Sequence, residues 1–178
     1  SGVDYLADRT GEGVTVRILT NSLEATDVPA VHGGYAPYRE AMLELGVRLF
    51  ELRRQPEQEA SYSFLGESES SLHSKAAVFD QQKVFVGSLN LEPRSVRWNT
   101  EVGILVESHE LGREVHRLTL EGMSPALSYE VRLVERDGRK QLTWIAEDGG
   151  RLRTIEKEPG GLWRRFNAWF ADVIGLEK

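Results

Sequence analysis

The amino-acid sequence predicts an α/β domain that continues into an antiparallel β-meander and a terminal helix. Between residues 14 and 52, a β-branched run, a helical pattern and a second β-branched run follow one another, an order typical of a parallel or mixed sheet. Residues 126–158 contain three alternating runs separated by Asp-Gly turns, the pattern of a meander. Residues 162–174 place apolar side chains near helical spacing.

Length and composition limit the classes of protein that fit. A chain of 178 residues is long enough for one domain with its own core and too short for two large ones. We therefore expect a single domain over residues 1–178, with a main part at 1–125, the meander at 126–158 and the terminal helix at 159–178. The net charge of −6 argues against a nucleic-acid module that relies on positive charge. The absence of cysteine excludes disulfides, thiolate catalysis and cysteine zinc sites.

The first elements are predicted from helix and strand end signals. Residues 3–9 have a helical pattern that Gly11 closes, without an N-cap signal ahead of it, so we expect the chain to begin within an element. Residues 14–19 predict a strand that ends in the polar turn 20–22. Residues 37–45 predict a helix closed by Gly46, and residues 47–52 predict a second strand.

The middle of the chain predicts further strands. Residues 55–71 are rich in Glu, Ser and Gln and predict a long loop of the kind that often borders sites. Residues 72–79 and 83–89 predict two strands that the short connection 80–82 joins as a hairpin. A fifth strand at 101–106 and a helix at 111–120 follow.

The strongest chemical signal is a set of residues at fixed gaps: His73, Lys75, Asp80, Gly87, Ser88, Asn90 and Glu101. Residues two apart on a strand point to the same face, so His73 and Lys75 project together, as do Ser88 and Asn90 on the partner strand. We expect the paired strands to place an imidazole, an ammonium, a hydroxyl and an amide around one small volume.

That group of side chains suits a phosphodiester. Histidine can attack phosphorus or donate a proton, and Lys75 and Asn90 can hold non-bridging oxygens as negative charge builds. Ser88 can donate a hydrogen bond, and Gly87 leaves room for a phosphate to approach the backbone. This chemistry needs no metal ion and no cofactor, and the sequence offers no obvious metal-ligand cluster.

The arrangement resembles the active-site motif of the phospholipase D superfamily, with its downstream Gly-Ser-x-Asn. Further segments are similar to the C-terminal half of bacterial cardiolipin synthase-like proteins: 19–23, 27–35, 38–39, 90–95 and 99–101. Glu92 stands where aspartate is expected in that group. The resemblance implies a mixed sheet flanked by helices and two such motifs that meet in one active site, where one histidine forms a phosphohistidine. It also implies that Glu101 orients His73. Because Asp80 lies at the turn, we expect it to organise the hairpin rather than contact substrate.

The implied function is that of a phosphatidyltransferase half-domain acting on phospholipids. The second motif would come from a missing N-terminal half or from a second copy, so the isolated chain is expected to have little or no activity. We expect peripheral attachment to the cytoplasmic or periplasmic face of a bacterial inner membrane. Two alternatives stay open: a phosphodiesterase or nuclease of the same superfamily that works as a homodimer, and a non-catalytic lipid-binding module that keeps the motif as a relic.

Several other residues have a functional and a structural interpretation. Asn21 and Ser22 follow a strand end, where open α/β sheets place their sites, so we predict substrate contact, with a plain turn as the alternative. His32, in a Gly-rich stretch, either lines a pocket or lies on the surface. Arg39 either meets a lipid phosphate or forms a structural ion pair. The helix at 162–174 either lies on a membrane surface or, as we favour, packs on its own domain.

Overall fold

The computed structural model describes residues 2–26, 29–54, 72, 75–88 and 100–160. Its helices are α1 (Gly2–Gly11), α2 (Pro29–Tyr35), α3 (Arg39–Glu44) and α4 (His109–Gly122). Its strands are β1 (Arg17–Asn21), β2 (Arg48–Leu52), β3 (Lys75–Phe79), β4 (Lys83–Gly87), β5 (Gly103–Glu107), β6 (Ser128–Arg136), β7 (Arg139–Asp148) and β8 (Arg151–Ile155). The predicted loop at 55–71 and the predicted helix at 162–174 lie outside these ranges. Among the described helices, none is long and apolar enough to cross a bilayer.

The strands form two sheets, and the α/β class predicted from the sequence is confirmed. A five-stranded mixed sheet has the order β1-β2-β6-β7-β8, in which β1 and β2 are parallel and the other pairs antiparallel. A three-stranded antiparallel sheet has the order β3-β4-β5. The meander is confirmed as three strands, and its first strand pairs with β2, so the meander extends the mixed sheet.

Two details of the first elements differ from the prediction. β1 begins at Arg17 and continues through Asn21, because Thr20 and Asn21 pair in register with β2. The polar residues expected in a turn are therefore the end of the strand. Helix α2 was not predicted, since the adjacent glycines at 33 and 34 suggested a loop.

The main core lies between the mixed sheet and helices α1 and α3. Its buried side chains are Met42, Val47, Leu49, Tyr129, Val131, Trp144 and Ala146. Val3 and Leu6 of α1 pack against this cluster from outside. Gly46, at φ +83°, ends α3 and returns the chain to β2, as the sequence predicted.

The smaller sheet packs on helix α4. The Ser108 hydroxyl caps the helix by accepting from the Leu111 N–H at 3.2 Å. Val84 of β4 and Val115 of α4 are both buried. Gly112 lies so close to the β3–β4 turn that a Cβ there would be 2.5 Å from the Gln81 carbonyl carbon. The glycine therefore allows the helix to lie directly on the hairpin.

Candidate active site

Lys75 is the first residue of β3, and the strand register decides what lies beside it. Lys75 pairs with Gly87 of β4, and Gly87 pairs with Gly103 of β5. Residues directly opposite each other share one face of a sheet. The half-buried lysine therefore projects beside two positions that have no side chain of their own.

The space beside the two glycines is occupied by the Phe85 ring. A Cβ at Gly103 would overlap that ring, and a Cβ at Gly87 would lie 2.9 Å from it and 2.6 Å from the Val102 carbonyl oxygen. The sequence predicted that Gly87 leaves room for a phosphate. In this structure protein atoms use the room, so Gly87 serves strand packing, and its contact with substrate stays a prediction.

Ser88 does not share the face of Lys75 in this register. Because Lys75 pairs with Gly87, strand alternation assigns the opposite face to the next residue. The three-residue connection between Phe79 and Lys83 sets this outcome, since a shift of one residue would exchange the faces. Strand β4 ends at Gly87 and Ser88 begins a bend. Strand alternation therefore does not bring the side chains of Lys75 and Ser88 into the common volume that the sequence predicted.

Ser88 instead contacts Glu101, another residue of the predicted site. Its hydroxyl donates to the Glu101 carboxylate and accepts from the Val102 N–H at 3.1 Å. Its own N–H donates to the Val102 carbonyl at 2.9 Å. The structure thus brings Ser88 and Glu101 together at the end of β4. The predicted contact of Glu101 with His73 stays a prediction, because His73 lies outside the described residues.

Asp80 lies in the hairpin turn, far along β3 from Lys75. Asp80 and Gln81 have φ values of 51° and 56°, and the Gln82 N–H donates to the Phe79 carbonyl at 2.9 Å. Aspartate tolerates this left-handed backbone better than most residues. Five residues of strand separate Asp80 from Lys75 by about 16 Å, which fits the predicted role in organising the hairpin. Asn90, like His73, lies outside the described residues.

Asn21 and Ser22 both have structural partners. The Asn21 side-chain amide donates to the Leu72 carbonyl at 2.9 Å and accepts from the Leu72 N–H at 2.7 Å. Ser22 is fully buried, and its hydroxyl accepts from the Ala25 N–H at 3.2 Å. Ser22 therefore fits the plain-turn alternative, and we leave it out of the substrate contacts proposed below. For Asn21, substrate contact stays a prediction.

A buried charge cluster, made of His32, Arg39, Glu51 and Glu158, joins α2, α3 and β2 to the segment after β8. Arg39 Nε is 2.8 Å from Glu51 Oε1, and the Trp144 indole N–H donates to Glu51 Oε2 at 2.8 Å. His32 Nε2 and Glu158 Oε1 are 2.7 Å apart, and Arg39 also contacts Glu158. Arg39 is only 3% exposed. The structure therefore supports the ion-pair interpretation of Arg39 over a lipid phosphate contact.

The protonation behaviour of the cluster follows from its geometry. Burial raises the pKa of Glu51, against the opposing effect of Arg39. Burial alone would also raise the pKa of Glu158, but His32 and Arg39 outweigh it and hold that pKa at about 2. The pKa of Arg39 is raised despite its burial, because Glu51 and Glu158 face it. Glu51 was missed at the sequence level, although an acidic residue inside an apolar strand was the available signal.

No group of three His, Asp or Glu side chains in the described ranges could hold a metal ion. In those ranges, the functional groups of the candidate site are the Lys75 ammonium at the start of β3 and the Ser88 hydroxyl at the end of β4, which donates a hydrogen bond to the Glu101 carboxylate.

Two thirds of the chain, including the whole motif, match a known protein family. The sequence profile of the family described as cardiolipin synthase, PLD-like domain, matches residues 1–119. This chain belongs to that family. The matched region runs from α1 into α4 and includes the whole motif from His73 to Glu101. Membership in the phospholipase D superfamily, expected from the motif, is thereby confirmed.

One relative aligns with nearly the whole chain, so its similarity includes both the matched region and the meander. Cardiolipin synthase C of Escherichia coli strain K12 is 35% identical over 181 aligned positions, which cover 99% of this chain and 37% of the relative. An uncharacterised protein of Helicobacter pylori strain J99 is 32% identical over 155 positions, 85% of this chain and 29% of the relative. Cardiolipin synthase B of E. coli K12 is 24% identical over 132 positions, which cover 74% of this chain and 27% of the relative.

The chain therefore spans less than two fifths of the length of each of these relatives. No solved structure matches it at a significant level.

Proposed function

We propose that this chain is one half of a phosphatidyltransferase and carries one of the two His-x-Lys motifs of its active site. The observation that carries the proposal is the family match over residues 1–119, because it includes every motif residue from His73 to Glu101. Two of the three relatives described above are named cardiolipin synthases. The proposed substrates are accordingly two phospholipids, one that donates a phosphatidyl group and one whose alcohol accepts it.

The proposed reaction has two displacements at one phosphorus atom. A histidine nitrogen attacks the phosphorus of the donor lipid, the bond to the head-group oxygen breaks, and a second histidine protonates the departing alcohol. The alcohol of the acceptor lipid then gives its proton to that second histidine and attacks phosphorus, and the phosphorus–nitrogen bond breaks. His73 is either the nucleophile or the acid–base partner in this scheme.

The other motif residues serve the phosphoryl group and the ring that attacks it. Lys75 and Asn90 stabilise the non-bridging oxygens as their negative charge increases. A carboxylate that accepts from the imidazole Nδ1–H leaves Nε2 free to react. Glu101 is proposed for that role, and its hydrogen bond with Ser88 at the end of β4 supports it by holding the carboxylate in place.

The second motif, on this proposal, comes from another part of a longer polypeptide or from a second copy of the chain. The chain spans only 37% of cardiolipin synthase C, which supports this arrangement. We expect the isolated monomeric chain to show little or no phosphatidyl transfer, and turnover of phosphatidylglycerol by a strict monomer would refute the half-site proposal. Because the substrates are lipids, we propose peripheral attachment to the cytoplasmic or periplasmic face of a bacterial inner membrane.

The experiment that tests the proposal compares lipid and nucleic-acid substrates. The intact polypeptide that carries this chain is incubated with phosphatidylglycerol vesicles and, separately, with duplex DNA. We expect cardiolipin and free glycerol from the vesicles, and a loss of about 10²–10⁴-fold in rate for His73→Ala. His109→Ala is the matched control, since His109 is an exposed residue at the start of α4, and it should leave the rate unchanged.

Two results would replace the proposal. DNA hydrolysis that depends on His73, without lipid turnover, would favour the nuclease alternative, which the net charge of −6 disfavours. Lipid binding without any turnover, unaffected by His73→Ala, would favour a non-catalytic module.

A further inference from the structure

The end of β1 and the turn after it contact the two described residues on either side of residues 55–71. Asn21, at the end of β1, hydrogen bonds twice to Leu72, at 2.9 and 2.7 Å. Glu24, in the turn, accepts from the Arg54 N–H at 3.3 Å and from the Tyr129 hydroxyl at 2.9 Å. Two side chains that are close in sequence therefore contact both Arg54 and Leu72.

The two hydrogen bonds of Asn21 reproduce what a neighbouring strand would give to Leu72. A side-chain amide offers both a donor and an acceptor, so it can satisfy the carbonyl and the N–H of one residue. Among the described strands, β1 is an edge of the five-stranded sheet and β3 is an edge of the three-stranded sheet. Asn21 ends β1, and Leu72 lies three residues before β3 begins. The contact therefore links the end of β1 to the residue from which the chain leads into β3.

The position of Leu72 bears directly on the motif. Leu72 immediately precedes His73 in the sequence, and β3 begins at Lys75. The hydrogen bonds that hold the N–H and the carbonyl of Leu72 at the end of β1 therefore fix the point from which the chain enters the motif. In phosphoryl transfer that position matters, since a displacement of about 1 Å at a reacting group can cost about 10²-fold in rate.

We propose that Asn21 is a positioning residue of the His-x-Lys motif, acting through the backbone of Leu72. This role differs from the substrate contact predicted for Asn21 from the sequence, because the amide acts on the chain that bears the histidine. Its catalytic readout rests on the proposed phosphatidyl transfer, whereas its structural readout does not.

Asn21→Asp tests the role through its dependence on pH. When ionised, the new carboxyl still accepts from the Leu72 N–H but has no donor for the Leu72 carbonyl and repels it. When protonated, it can donate to the carbonyl and accept from the N–H, as the amide does. At pH 7.5 we expect kcat of the intact polypeptide to fall about tenfold or more relative to the unsubstituted protein. The ratio should recover as the pH falls far enough to protonate the new carboxyl, with KM for the lipid changed by less than about twofold.

Hydrogen exchange at the Leu72 amide gives the structural readout. That N–H donates to the Asn21 side-chain oxygen, and a carboxylate would still accept from it. The exchange measurement therefore uses Asn21→Ala, which removes the acceptor and should lower the protection of the Leu72 amide about tenfold or more. The matched control is Tyr129→Phe, which removes one hydrogen bond from Glu24 in the turn after β1 and leaves Leu72 untouched. It should destabilise the protein without changing kcat or the protection of the Leu72 amide.

Three results would overturn the inference: unchanged Leu72 protection in Asn21→Ala, lost protection with unchanged kcat in that variant, or a loss of kcat in Tyr129→Phe equal to that in Asn21→Asp. A failure of the proposed function is recognised separately, because the unsubstituted protein would then transfer no phosphatidyl group. In that case hydrogen exchange at the Leu72 amide still shows whether Asn21 holds Leu72 in place.

Discussion

Glu158 keeps its charge in a largely buried position because His32 and Arg39 face its carboxylate. Burial alone would raise its pKa, but the two neighbours hold that pKa at about 2, below the ordinary value of 4.5. A carboxyl with a lower pKa in the folded protein stabilises the fold above its unfolded pKa. That contribution is lost as the pH falls from about 4.5 toward about 2.

Glu158→Gln should therefore destabilise the protein in a pH-dependent way. We expect a loss of about 1–3 kcal/mol in the free energy of unfolding at pH 7, and this difference from the unsubstituted protein should shrink as the pH falls below about 4.5. Urea unfolding across that pH range measures it. Glu12→Gln, which breaks an exposed ion pair with Arg9, should cost less than about 1 kcal/mol at every pH. A pH-independent difference for Glu158→Gln would contradict the ion-pair account.

The sequence selected candidate residues of the motif but not their hydrogen-bond partners. The spacing from His73 to Glu101 singled out Ser88 and Glu101, whose roles in the reaction stay predictions, whereas the hydrogen bond between them was not predicted. The partner of Asn21 could not be predicted, since Leu72 lies 51 residues away along the chain and such a contact leaves no local pattern. The same holds for Glu51, whose partners come from α3 and β7.

Helix α4 and the β3–β4 hairpin meet at Gly112, which makes this glycine a structural requirement. A Cβ at this position would lie 2.5 Å from the Gln81 carbonyl carbon and 2.8 Å from the Gln82 nitrogen. Both neighbours are backbone atoms in a tight turn, so they cannot move aside as a flexible side chain would.

Gly112→Ala should therefore cost about 1–3 kcal/mol in the free energy of unfolding. This loss is expected even though alanine is about 1 kcal/mol more favourable than glycine within a helix. Gly11→Ala is the matched control, because Gly11 also belongs to a helix and its Cβ would have no atom within 4 Å. The control should be neutral or stabilising in the same urea titration. A neutral Gly112→Ala would show that the helix does not rest on the turn.

Elements bounded by turn glycines were predicted well, and the pairing details were not. Gly46 marked the end of α3, and Asp137-Gly138 marked the β6–β7 turn, where both residues have positive φ. Helix α2 was missed because of the two glycines it contains. The faces of the β3–β4 hairpin depend on a single residue of turn length, which neither hydrophobic pattern nor motif spacing specifies.

Long-range pairing unites the matched region with the residues that follow it. The family profile ends at residue 119, but β6 pairs with β2 and Glu158 joins the buried charge cluster with His32 and Arg39. These contacts join the two parts, and the single domain expected from the length of the chain stays a prediction. The strands of the meander were predicted from alternation and from the Asp-Gly turns between them. Their place beside β2 was not, because sheet order depends on contacts between segments about 80 residues apart.

The central claim is that the Lys75 end of the β3–β4 hairpin belongs to a phosphatidyl-transfer site. Lys75 is the first residue of β3, and Lys83 is the first residue of β4, directly after the turn. The strand register places both lysines on the same face of the hairpin. Lys83 forms an exposed ion pair with Glu107 at 2.7 Å. It therefore provides a matched control, a lysine in the same element with no proposed role in the reaction.

The most direct test is the initial rate of phosphatidyl transfer between phospholipids by the intact polypeptide, measured for Lys75→Met and Lys83→Met. We predict that Lys75→Met lowers the rate about 10²–10³-fold, since it removes a charge that stabilises the developing oxyanion. Lys83→Met should stay within about twofold of the unsubstituted protein. Equal rates for the two variants, whether both retained or both lost, would contradict the claim.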